Sequence, residues 1–85
     1  MRPEIEDYIA ANLPTVEQCP NGWGPKLVCD WLRQTMFEAE LHRHTDRRLY
    51  QLVYNTLRKL RGAGRIDAAY GVGDNGRETL TYNRF

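Results

Sequence analysis

Thr45-Asp46-Arg47-Arg48-Leu49-Tyr50-Gln51-Leu52-Val53-Tyr54-Asn55-Thr56-Leu57-Arg58-Lys59-Leu60-Arg61-Gly62-Ala63-Gly64-Arg65-Ile66 is the stretch from which the fold is read. At 3.6 residues per turn, Leu49, Leu52, Val53, Thr56, Leu57 and Leu60 share one face, centred near Leu60. The opposite face gathers Arg47, Gln51, Tyr54, Asn55 and Arg58, with Arg48 and Lys59 on its flank. One side of the helix is built to pack and the other is long, polar and cationic. Thr45 suits the N-cap and Asp46 the first turn, while Gly62 and Gly64 are left-handed candidates that stop the helix, giving a helix over 45–61.

Downstream, Ile66, Ala68, Tyr70 and Val72 alternate with other residues, and Leu80 and Tyr82 alternate again. Asp74-Asn75-Gly76 between them is a tight-turn signal, so the pattern predicts a hairpin with strands near 65–72 and 78–83 and Arg77 at its tip. An isolated hairpin is marginal in water, so its apolar face is expected to lie on the helices.

Upstream, Pro3 and Pro25 suit the first turns of two further helices, at 3–12 and 25–34. The first places Ile5, Tyr8, Ile9 and Leu13 at helical spacing and ends before Pro14, and the second carries Leu27, Val28, Trp31 and Leu32 as one apolar stripe. Residues 14–24 hold Pro, Asn and Gly densely enough to predict a long connecting loop. Met36, Phe37 and Leu41 either extend the second helix or form a separate turn, and the pattern leaves both open.

A chain of 85 residues has room for one domain, 1–85, and one small core. Its 41% hydrophobic and 27% charged content is ordinary for a globular protein. The N-terminus is acidic and no segment has the apolar length of a membrane span, so a cytoplasmic location is the expectation. The net charge of +1 conceals a polarity: residues 1–41 carry three basic against seven acidic side chains, whereas 42–65 carry seven basic against Asp46 alone. A basic block confined to one predicted element is the footprint of a phosphate-binding surface.

Three helices followed by a hairpin, with Tyr54-Asn55-Thr56-Leu57-Arg58-Lys59-Leu60-Arg61-Gly62-Ala63-Gly64-Arg65-Ile66 at the junction, resemble the winged helix-turn-helix superfamily. The resemblance implies an α+β fold: a three-helix winged helix-turn-helix with a C-terminal two-stranded hairpin wing. It also implies a small DNA-binding protein of the bacterial or phage transcription-regulator kind, with helix 45–61 in the major groove and hairpin 65–83 as the wing. Carried over by position, Gln51 and Asn55 would read bases through their amides, with Tyr54 beside them. Arg47 and Arg58 would meet guanine or phosphate, Arg48 and Lys59 phosphate, and Arg77 the backbone at the wing. One recognition helix per chain implies a homodimer on a repeated half-site. The Gln34–His44 segment exceeds the three or four residues of a typical turn and brings Glu38 and Glu40, which would repel a nearby phosphate.

The alternative reading uses the same fold as a protein-interaction module, or as an inhibitor docking on a nucleic-acid-handling complex, through the acidic N-terminal half and Trp23. Trp31 sits at core spacing; Trp23, between Gly22 and Gly24, is equally compatible with core and surface. Cys19, Cys29, His42 and His44 supply zinc-type ligands, but Cys-x₉-Cys and His-x-His lack the short knuckles of such sites, so reduced thiols and no metal are expected. The chain contains no serine and no Gly-rich phosphate loop before a helix, and an enzyme is not expected. No cofactor is implied.

Overall fold

Pro3 and Pro25 each open a helix in the computed structural model, which describes residues 1–72 and 76–85. Helix α1 (Pro3–Asn12) ends where Leu13 turns extended, the conformation that the following Pro14 demands. Helix α2 (Pro25–Leu32) stops two residues earlier than its apolar stripe predicts. The cause is Thr35, whose hydroxyl donates to the Leu32 carbonyl at 2.6 Å and accepts from the Phe37 backbone N–H at 3.3 Å. That competing bond turns the chain out of the helix.

The described residues therefore form four helices rather than three, because Met36, Phe37 and Leu41 belong to a separate turn built around α3 (Glu38–Leu41). Helix α4 (Asp46–Gly62) begins as expected, with the Arg48 N–H donating to the Thr45 hydroxyl at 3.2 Å. At its end Gly64 adopts φ +74°, and Arg65 N–H reaches back to the Leu60 carbonyl at 3.0 Å. This closure uses glycine in the left-handed region and leaves the terminal carbonyl satisfied.

Strands β1 (Ile66–Val72) and β2 (Glu78–Arg84) pair antiparallel with Ile66 opposite Arg84 and Val72 opposite Glu78. Of the expected turn, Asp74 and Asn75 lie outside the described residues. The far edge of β2 is also used: Trp23 and Tyr82 exchange two backbone hydrogen bonds of 2.9 Å, an antiparallel bridge. The loop 14–24 is thereby tied to the sheet. Asn83 donates to the carbonyls of Pro14 at 3.2 Å and Cys19 at 2.8 Å, and Arg84 Nε donates to Leu13 at 2.9 Å. Gly22, at φ +65°, passes so close that a Cβ there would lie 2.7 Å from Asn83 Oδ1. Only glycine fits that approach.

Most of the expected core is present, but Leu27, placed on the apolar stripe of α2, is 37% exposed, and Tyr8 and Trp31 are half-buried. Ile5, Ile9, Leu13, Val28, Leu32, Leu49, Val53, Leu57, Leu60, Ile66 and Tyr82 are buried, joined by Leu41 from α3. Leu52, expected among them, is half-buried because it sits at the α1 flank of α4, beside Met1, Ile5 and Leu41. The hairpin face is only partly covered: Ile66 and Tyr82 reach the helices, whereas Tyr70 and Val72 stand 73% and 66% exposed. Among the described residues no helix is long and apolar enough to cross a membrane.

Candidate nucleic-acid interface

Helix α4 turns its leucines inward, and this fixes what its other side presents. Arg47, Gln51, Tyr54, Asn55 and Arg58 are all exposed on the solvent face. Tyr54 is held there by its neighbours one turn away. Its ring lies nearly parallel to that of Tyr50, at 16° with centroids 6.4 Å apart, and the Arg58 guanidinium sits over it at 5.8 Å.

Two shallow hollows flank Tyr54, one walled by Tyr50, Gln51 and Asn55, the other by Arg58, Arg61, Gly62 and Leu80 of β2. The second joins the helix face to the hairpin. Tyr50, Arg61 and Leu80 thus belong to the surface although the helical wheel alone does not single them out. The missing information is which flank of α4 the hairpin covers, and that is a tertiary fact.

The disposition of charge distinguishes the arginines of this face from five cations elsewhere on the molecule. On the α1 side, Lys59 donates to both carboxylate oxygens of Glu6 at 3.1 and 3.2 Å, and Arg65 to Asp7 at 2.9 Å. Arg2 pairs with Glu40 at 2.7 Å, Lys26 with Asp30 at 3.3 Å, and Arg33 with Asp46 at 2.8 Å. Among the described residues no carboxylate lies within ion-pair distance of Arg47, Arg48, Arg58 or Arg61. Most acids of the N-terminal half, Glu6, Asp7, Asp30 and Glu40 among them, are thus engaged by cations outside the exposed face.

The eight residues singled out in the sequence do not form one set. Arg47, Gln51, Tyr54, Asn55 and Arg58 share the face. Arg48 lies on the flank, in a cleft with Arg2, Glu40, His44 and Leu52. Lys59 is on the same flank with its ammonium held by Glu6, so its charge is already countered within the fold. Arg77 is exposed at the start of the second hairpin arm, next to Glu78 of β2.

Glu38 and Glu40 are both engaged. Glu40 is bound by Arg2, while His42 bridges Arg33 and Glu38 at 3.1 and 3.2 Å. Because an arginine can only donate, His42 Nδ1 accepts and the proton on Nε2 is given to Glu38. Cys29 is buried in α2, and burial, followed by the negative charge of Asp30, pushes its thiol up to about 11. Cys19 lies apart in the loop, its Sγ 3.8 Å from the Gly22 carbonyl. Among the described residues no three His, Cys, Asp or Glu side chains converge on a point that could hold a metal.

Trp23 is half-buried. Its ring packs on Trp31 at 5.3 Å, Trp31 stacks on Tyr8 at 5.3 Å, and Tyr8 meets Phe37 edge-on at 5.6 Å. The tryptophan that an exposed protein-contact patch would need is thus part of an aromatic chain binding the loop, α1, α2 and the α3 turn together. In comparisons with known proteins, the chain matches no family model, no curated protein and no solved structure.

Proposed function

We propose that the protein is a small, non-catalytic DNA-binding protein of winged-helix type, a transcriptional regulator that lays α4 in the major groove with the β1–β2 hairpin as its wing. One observation carries this reading: four arginines of a single helix, Arg47, Arg48, Arg58 and Arg61, have no acidic partner among the described residues, whereas Arg2, Lys26, Arg33, Lys59 and Arg65 each have one. Like charges gathered on one helix repel one another, and a polyanion is the counterpart that relieves this repulsion.

The order of elements supports it. A helix, a one-residue bridge strand at Trp23, a second helix, the short α3 turn, the long α4 and a hairpin follow one another, and the bridge pairs with the last strand. The amides of Gln51 and Asn55 project between the arginines from the solvent face, the position from which base edges are read. Few base contacts are available to one helix, so two copies on a repeated half-site belong to the proposal.

A polarisation titration of the protein against a labelled generic duplex at low salt tests it. Binding that sequence-unrelated competitor DNA displaces is the expected result. A duplex that stays free at low salt removes the reading.

A further inference from the structure

A surface made only to read an intact duplex needs long polar and cationic side chains, but this one also carries exposed rings. Tyr50 and Tyr54 remain 44% and 38% exposed on α4. Across the second hollow Tyr54 meets Leu80, whose cross-strand partner is Tyr70, and Val72 follows Tyr70 on the same face of β1. These residues make one strip that runs from α4 onto the distal hairpin. Soluble proteins seldom leave such a strip open without a ligand for it.

The ligand must offer flat apolar faces and negative charge together, since Arg58 and Arg61 border the strip and neither has a carboxylate partner among the described residues. Nucleic acid meets both requirements, yet within an intact duplex the bases show only their edges. Their faces become available where stacking is interrupted. Aromatic rings interleaved with arginine are the means by which unpaired bases are held. Tyr54 also has the Arg58 guanidinium 5.8 Å from its ring centroid, so an aromatic face and a cation for the adjoining phosphate stand side by side.

Resting on the DNA-binding reading above, we infer that the Tyr50–Tyr54–Leu80–Tyr70 strip is a stacking platform for unpaired bases. The preferred DNA would then be a duplex interrupted by a bulge or ending in a single-stranded overhang. In this arrangement Gln51 and Asn55 face the paired arm, and Arg58 and Arg61 meet the phosphates where the strand leaves it.

The test uses the full chain and two DNA probes of equal length. One is a continuous duplex, and the other is the same duplex with a two-nucleotide bulge carrying 2-aminopurine. The interrupted probe should bind more tightly, by about 5- to 100-fold for one or two stacked bases, with 2-aminopurine emission quenched on binding. Tyr54→Phe should keep that ratio and Tyr54→Leu should bring it close to one. Equal affinity for the two probes, or a preference that survives Tyr54→Leu, overturns the inference while leaving duplex binding in place. Failure to bind either probe overturns both.

Discussion

Lys59 of α4 holds both carboxylate oxygens of Glu6 of α1, at 3.1 and 3.2 Å, with the lysine side chain 69% exposed and the glutamate only 11%. The two partners are therefore unequal. Lys59→Ala strands a nearly buried carboxylate, whereas Glu6→Gln leaves a lysine that water can solvate. Lys59→Ala should lower stability in urea by about 1–2 kcal/mol, and Glu6→Gln by less. Equal losses would show that the ammonium, not the burial of Glu6, sets the energy of the pair.

Tyr82 poses the opposite case. Its ring is fully buried beneath α4, and its hydroxyl finds no hydrogen-bond partner among the described residues. Burial also raises the pKa of that hydroxyl. Removing an unsatisfied buried polar atom while keeping the ring should not harm the fold. Tyr82→Phe is expected to match the wild type or to gain about 1 kcal/mol in a urea melt. A loss of similar size would mean that the hydroxyl is bonded.

Cys29 gives a pH signature. Its thiol is held up to about 11 in the fold against an ordinary value near 9, so the folded state keeps its proton longer than the unfolded chain. The resulting stability is complete below about pH 9 and is lost as pH rises from there through 11. Cys29→Ala should flatten the alkaline fall in chemical stability relative to wild type. In the native protein at pH 8 a thiol reagent should modify Cys19 first and Cys29 only slowly; two equally fast thiols would contradict this burial.

Arg58 and Arg65 form a contrast between an arginine with no carboxylate partner among the described residues and one paired to Asp7. Arg58→Ala should cost on the order of 1–3 kcal/mol of DNA affinity with an unchanged thermal melt. Arg65→Ala should cost less. The reverse order, measured by polarisation, would move the interface off the exposed face of α4.

Much of this could be read from the sequence because local chemistry agrees with the fold. Pro3, Pro25, Thr45 and Gly64 mark helix ends through their own backbone preferences, and the leucine phase of α4 identifies its buried side. What could not be read depends on partners distant in the chain. Lys59 looks like any surface cation until Glu6, 53 residues away, is placed against it. Trp23 looks like loop until Tyr82 completes its bridge. Arg61 gains significance only because Leu80 of the hairpin lies on its flank of α4, and the early end of α2 comes from one hydroxyl, Thr35, outbidding helical continuation.

The central claim is that the uncompensated arginines of α4 exist to meet phosphates, and the salt dependence of duplex binding tests it most directly. If Arg47, Arg48, Arg58 and Arg61 each neutralise one phosphate, log K against log salt concentration should fall with a slope of about −3.6. Replacing any one of them with alanine should reduce that slope by about 0.9. A flat dependence, or a slope unchanged by every one of these replacements, would contradict the account.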